Sequence, residues 1–178
     1  VTRLLSRQEM LNDKSALDAV HKEAKGLIDS GTWDLDSVQS KAALIAKAKA
    51  TGVTVHFGQL MTICSEKHSE LAADDPLRKM KGRVVYRGDI TKDQSGALAI
   101  FEELSANPTS MATARMNLAY GCLPGHSVSQ ADAIQAYIQC YLEPKDKQGK
   151  VVETWISLPP ELRPESWKKL GFSDPVVR

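Results

Sequence analysis

The segment from Arg78 to Arg87 contains five cations and no acid, and it limits the folds open to this chain. Its centre, Val84-Val85-Tyr86, has the β-branched and aromatic residues that are typical of a strand. Alternate residues of a strand share a face, so Val84 and Tyr86 would point to one side. The other side would then carry a row made of Lys81, Arg83, Val85 and Arg87.

Two interpretations of this row are open. Cations at this spacing can follow a phosphate backbone or clamp a triphosphate. Lysine and arginine also protect an exposed edge strand against aggregation. The chain as a whole has a net charge of +1 and a pI near 7.9, so any nucleic-acid binding must come from a local patch of this kind.

Helical patterns occur at several places in the chain. Residues 15–28 carry an apolar stripe that faces a polar side, with Asp13 as a cap and Ser30-Gly31 as a stop. Residues 40–50 have high helix propensity, and Thr51-Gly52 ends them. The three lysines of this second helix do not form one tight stripe, which favours a solvated face. A third helix is expected from Thr109 or Ser110 to about Leu123, with four residues directed inward, namely Met111, Ala114, Leu118 and Ala119.

Strand patterns lie between these helices without a regular βαβ order. The run 53–63 alternates and is rich in β-branched residues, and 151–158 forms another apolar run that Pro159-Pro160 stops. Irregular alternation of helices and strands favours an α+β fold over a doubly wound sheet. We therefore expect a short antiparallel sheet with helices packed on it.

Asp132 is the most informative single carboxylate. It lies where a short strand at Val128 is expected to give way to a helix, because Ala133, Ala136 and Cys140 recur at helical spacing. A carboxylate at such a junction can bind a metal. Aspartate is also a favoured N-cap, and these residues alone favour the cap.

Three cysteines, at positions 64, 122 and 140, are too few and too scattered for a disulfide framework or a metal knuckle. They favour a reducing compartment. No apolar run approaches a membrane span, and the first residues lack a signal pattern. We expect an intracellular protein, cytoplasmic or nuclear, without a membrane partner.

Several motifs in one order resemble the reverse transcriptase of copia-type LTR retrotransposons. Lys81 to Gly88, Lys-Gly-Arg-Val-Val-Tyr-Arg-Gly, is similar to the Lys-Ala-Arg-Leu-Val-Ala-Arg-Gly strand of the copia-type fingers. Asn107-Pro-Thr-Ser110, Asp132 with Tyr137 five residues later, and Leu158-Pro-Pro160 follow in the family's order. Gly31-Thr-Trp-Asp-Leu35 resembles the Thr-Trp-Glu-Leu element after the family's first helix.

The resemblance implies a role for four residues. Asp132 would be the first catalytic aspartate and a Mg²⁺ ligand, and Tyr137 would lie under the sugar of the incoming nucleotide and exclude a 2′-hydroxyl. Lys81 and Arg83 would neutralise triphosphate charge. The implied partners are an RNA or DNA template-primer, deoxynucleotide triphosphates and the rest of a retrotransposon polyprotein.

The resemblance also implies a domain organisation. Residues 1–104 correspond to the fingers and 105–178 to the start of the palm, an incomplete one because the family's Tyr-x-Asp-Asp turn does not occur within 1–178. We therefore expect this chain alone to be inactive as an RNA-directed DNA polymerase. The alternative is a degenerate, transposon-derived module that binds nucleic acid or protein without catalysis.

Overall fold

The computed structural model describes residues 1–99, 109–132, 142–145 and 149–178. The chain divides into two units, the first comprising Val1–Ala99 with Leu142–Arg178 and the second Ile100–Tyr141. The boundary expected at residue 104 lies outside the described ranges.

One long strand, β3 (Val55–Lys67), organises the sheet of the first unit. Its second half pairs antiparallel with β4 (Lys79–Tyr86) and, over its last residues, with β1 (Thr2–Leu4). Its first half pairs parallel with β6 (Glu153–Ser157) and antiparallel with β5 (Lys92–Asp93). Each half of β3 therefore has neighbours of its own.

The sheet continues beyond β6 through β7 (Pro175–Val177) to β2 (Gln39–Ser40). The expected α+β class is confirmed. The expectation of an antiparallel sheet is wrong at one pairing, because β6 runs parallel to β3. Parallel neighbours need a long crossover connection, and residues 68–152 supply it here.

Four α-helices accompany the strands in the described ranges, α1 (Arg7–Asn12), α2 (Lys14–Asp29), α3 (Lys41–Thr51) and, in the second unit, α4 (Met111–Gly121). Side chains close in sequence cap the N-termini of these helices. The Asp13 carboxylate accepts hydrogen bonds from the backbone N–H groups of Ser15 and Ala16, and Ser40 caps α3. Gly52 ends α3 in the left-handed region with φ of 67°, where glycine has no steric cost. The predicted bounds of α2 and α3 are thus confirmed to within a residue or two.

Two apolar clusters lie on opposite faces of β3. Val55 and Phe57 pack with Leu44 and Ala48 of α3. Cys64, which has the other parity along the strand, packs with Ala16 and Val20 of α2. Because successive strand residues point to opposite faces, α3 covers one face of the sheet at its first half and α2 covers the other face at its second half.

Helix α4 differs from expectation. Met111, Leu118 and Ala119 are exposed and Ala114 is half-buried, so the predicted inward stripe is wrong. The apolar residues of α4 also include Met116 and Tyr120, which lie on a different side of the helix from that stripe. Without a single apolar stripe, the pattern does not select a buried face.

Acidic side chains tie the N-terminal segment and the Pro159-Pro160 turn to the sheet. Buried Glu66 accepts hydrogen bonds from Arg78 at 2.6 Å and Arg3 at 3.3 Å. Glu161, whose side chain is 7% exposed, accepts two from Arg7, at 3.1 and 2.8 Å, and one from the Thr62 hydroxyl. Burial alone would raise the pKa of Glu161, but these donors outweigh it and hold the pKa below its ordinary value.

Glu9 belongs to a similar arrangement at the start of α1. It accepts hydrogen bonds from the Arg3 guanidinium at 2.7 Å and from the backbone N–H of Ser6 at 2.7 Å. The Ser6 hydroxyl in turn accepts from the backbone N–H of Glu9, which completes a capping box. The contact with Arg3, followed by those with Ser6, lowers the pKa of Glu9 from 4.5 to about 2.

We expect a Glu9→Gln variant to unfold at a lower temperature than the parent at pH 7. A carboxylate whose pKa is lower in the folded than in the unfolded state stabilises the folded protein fully when the pH is above the unfolded-state pKa. This stabilisation is lost as the pH falls through the folded-state pKa. The difference in Tm should therefore shrink between pH 4.5 and about 2. Thermal unfolding of both proteins across this range measures it. Glu165→Gln, at an exposed pair with Lys168, is the matched control, and an equal effect there would contradict the assignment.

Candidate nucleic-acid interface

The hairpin of β3 and β4 brings four cations to one side of the sheet. In its register Arg83 lies opposite Ile63, Lys81 opposite Ser65, and Lys79 opposite Lys67. Residues directly opposite each other share a face, as do alternate residues along each strand. We call the side that carries Lys67, Lys79, Lys81 and Arg83 the basic face.

The basic face is open over the second half of β3. Helix α2 packs on the opposite face, and among the described residues α3 packs on this side near Val55 and Phe57. The Arg83 side chain is 55% exposed, and the apolar neighbours Met61 and Val85 are 37% and 38% exposed. A ligand can therefore reach both the charged and the apolar side chains of this surface.

The cations of the basic face repel one another. Arg83, and then Lys67, lower the pKa of Lys81, because each positive neighbour disfavours its charged form. Glu23 of α2 approaches Arg83 at 3.6 Å and offsets part of this positive charge. A bound phosphate would relieve this repulsion, since it accepts charge-assisted hydrogen bonds from several cations at once.

Arg87 continues the same row toward the first half of β3. Its backbone N–H donates to the Gln59 carbonyl at 2.9 Å, just beyond the last pair of the β3–β4 ladder. Its guanidinium contacts the Asp89 carboxylate at 2.8 Å, so its charge is compensated within the chain. Because Arg87 also lies beyond the β3–β4 ladder, the basic face is limited to the four cations named above.

The structure brings together two of the four residues singled out by sequence, Lys81 and Arg83. Asp132 belongs to the second unit, where it is exposed, and residues 126–132 have no regular secondary structure. The strand expected at Val128 is therefore wrong, in keeping with the need of a strand for a paired neighbour. Tyr137 lies outside the described residues.

Sequence reasoning missed Lys67 and Lys79 as members of the basic face. Lys79 has the same parity as Lys81 and Arg83 on β4, so the period-two pattern could have included it. Lys67 joins them from the neighbouring strand, where the register of the β3–β4 hairpin places it opposite Lys79. Sequence alone carried no signal for that register.

A magnesium site is not complete among the described residues. In these ranges there is no group of three or more histidine, cysteine, aspartate or glutamate side chains placed to hold a metal ion. Asp132 offers a single carboxylate, whereas Mg²⁺ demands a nearly octahedral set of oxygen ligands and usually keeps several waters. Among the residues predicted for such a site, Asp132 is the one candidate ligand that the structure describes.

No helix in the described ranges has both the length and the apolar composition needed to cross a bilayer. Comparisons with models of protein families, with curated proteins and with solved structures each find no match to this chain.

Proposed function

We propose that the basic face binds the phosphates of nucleic acid, and that the chain is the fingers and the start of the palm of an RNA-dependent DNA polymerase similar to the copia-type enzymes. The single observation that carries the binding proposal is the convergence of Lys67, Lys79, Lys81 and Arg83 on one open side of the sheet. The class of enzyme rests on the ordered motifs of the sequence.

Protection of an edge strand accounts for this surface less well than binding does. Lys79, Lys81 and Arg83 belong to β4, for which β3 is the paired neighbour, and there they could discourage aggregation. Lys67 belongs to β3 and lies between Thr2 of β1 and Lys79 of β4, so it is not an edge residue. Like charges placed directly opposite each other weaken a sheet, which favours a role for this pair in binding.

The proposed polymerase assigns a role to each predicted residue. Lys81 and Arg83 would contact the phosphates of the incoming nucleotide or of the template-primer. Asp132 would bind Mg²⁺ for two-metal nucleotidyl transfer in the full-length enzyme, and Tyr137 would select against ribonucleotides. The remaining metal ligands would come from outside 1–178, within the same retrotransposon polyprotein in an intracellular compartment.

A non-catalytic module that binds nucleic acid is the second candidate. The observation in its favour is that the four cations all belong to β3 and β4, within the first unit. Binding through this surface requires nothing from Asp132. The two candidates share the basic face and differ only in catalysis.

Replacing both Lys79 and Lys81 by alanine is expected to weaken binding of a single-stranded DNA oligonucleotide about tenfold at physiological salt. Each lost phosphate contact should also reduce the slope of log affinity against log salt by about 0.7. Fluorescence anisotropy at several salt concentrations measures both quantities.

The matched control is the double variant Lys22→Ala/Lys25→Ala. It removes the same amount of charge, but from the exposed side of α2 and not from the basic face. Equal weakening by both double variants would mean that net charge alone attracts the oligonucleotide, and would refute the proposed site. Competition with inorganic triphosphate shows whether the surface prefers a triphosphate to a backbone.

A further inference from the structure

A second cationic site lies beside the basic face, in a cavity between α3 and the turn that follows β5. Its volume is about 550 Å³, which is in the range of pockets that hold a small ligand. Three lysines line it, Lys41 and Lys49 from α3 and Lys92 from β5. Apolar atoms of Ile45, Phe57 and Ile90 complete the lining.

The two lysines of α3 that line this cavity are eight residues apart and share a side of the helix, whereas Lys47 does not line it. Lys92 lies directly opposite Phe57 in the register of β3 and β5, so it joins them on the same side of the sheet. The Lys41 ammonium is 5.5 Å from the centre of the Phe57 ring. The fold therefore assembles a cationic rim that the helical pattern of α3 did not reveal.

Two acidic residues, Asp93 and Asp174, lie near this rim. Asp93 also lines the cavity, but its carboxylate accepts hydrogen bonds from the Ser95 backbone N–H at 2.8 Å and the Ser95 hydroxyl at 2.6 Å. Asp174 approaches Lys41 at 3.6 Å. Lys49 and Lys92 are both exposed and occur in none of the ion pairs found in the described part of the chain. Lys49 and Lys92 are therefore the cations of this rim that remain available to an anionic ligand.

The cavity and the basic face lie on the same side of β3. Gln59 lines the cavity and has the same parity along the strand as Met61 and Ile63. From Phe57, opposite Lys92, to Lys67, opposite Lys79, the strand advances ten residues, which spans about 33 Å. Cations thus flank both ends of one continuous surface.

We propose that this cavity is a second contact site for the same single strand of nucleic acid that binds the basic face. Lys49 and Lys92 contact a phosphate, and the apolar lining of Ile45 and Ile90 packs against the adjoining sugar or base. Proteins that bind single strands combine a positively charged groove with aromatic side chains that stack on bases. Here Lys49 and Lys92 supply the charge, and isoleucines take the place of the aromatic side chains. This inference rests on the proposed function, because it needs the basic face to hold the rest of the strand.

The test compares two oligonucleotide lengths on three proteins. The parent, a Lys49→Ala/Lys92→Ala variant and the Lys79→Ala/Lys81→Ala variant are titrated with single strands of about 4 and about 12 nucleotides, lengths that bracket a short binding site. The longer strand should bind the parent more tightly than the shorter one. Loss of Lys49 and Lys92 should weaken the longer strand about tenfold and leave the shorter one within about twofold.

The failure of this inference can be distinguished from the failure of the proposed function. If the parent binds neither strand, both fail. If the Lys49→Ala/Lys92→Ala variant binds the longer strand as tightly as the parent does, the cavity is not used, while the basic face stands. A further measurement is how well a bound ligand protects Lys49 and Lys92 from chemical acetylation. If a mononucleotide protects these lysines as strongly as the longer strand does, the cavity binds free nucleotides and the inference is overturned.

Discussion

Replacing Gly82 by alanine is expected to lower the free energy of unfolding by about 2 kcal/mol or more. Gly82 lies on β4 where α2 crosses the sheet, and a Cβ there would be 2.5 Å from the carbonyl oxygen of Ala19 and 2.6 Å from the Cα of Val20. Both neighbours are backbone atoms, so relief requires the helix to move away from the strand. Such a shift would loosen the cluster of Val20 and Cys64.

Urea unfolding measures this loss, and a change of this size shifts the midpoint by about 1 M. Gly26→Ala is the matched control, because a Cβ at that position of α2 meets no atom within 4 Å. There we expect a gain of about 0.5–1 kcal/mol from the lower entropy of the unfolded chain. A Gly82→Ala protein as stable as the parent would show that α2 does not pack against β4 as described.

In the full-length polymerase that the proposed function implies, Asp132→Asn should lower the rate of primer extension about a thousandfold or more. Loss of a carboxylate that holds a catalytic metal removes several kcal/mol of transition-state stabilisation, and about 4 kcal/mol corresponds to that factor. Extension of a labelled primer on an RNA template in the presence of Mg²⁺ measures it. Asp18→Asn, which makes the same chemical change on the exposed side of α2, should leave the rate unchanged.

The alternative role of Asp132 as a helix cap makes the opposite prediction. Asparagine and serine cap helices about as well as aspartate does, so Asp132→Asn and Asp132→Ser would both keep activity if capping were the whole role. Only Asp132→Ala would then be impaired, through a loss of stability of about 1 kcal/mol. Full activity of the asparagine and serine variants would therefore reject Asp132 as a metal ligand.

Local signals predicted two of the three α-helices of the first unit, α2 and α3. Asp13 and Gly52 mark helix ends through contacts with residues a few positions away, so the sequence contains the whole interaction. Helix α1 was not predicted, although Ser6 and Glu9 form a capping box at its start. Short elements with strong caps are accessible to sequence reasoning of this kind.

Long-range pairing was not accessible. The two-residue strand β2 is placed opposite β7, more than a hundred residues later, and nothing in Gln39-Ser40 indicates this. The period-two pattern placed Lys81 and Arg83 on one face, but it could not show whether a helix covers that face. The answer depends on the close approach of α2 at Gly82 on the opposite side, which is a tertiary contact.

The position of β3 between early and late segments has a consequence for synthesis on the ribosome. The second half of β3 pairs with β1 and β4, which both lie within the first 86 residues. Its first half pairs with β6, which follows it in sequence by about a hundred residues. At 5–20 residues per second, the edge at Val55–Gln59 waits for roughly 5–20 s before residues 153–157 have been made. During that interval the nascent chain presents an unpaired strand edge on the side that β6 will occupy, and this is when a chaperone would protect it most effectively.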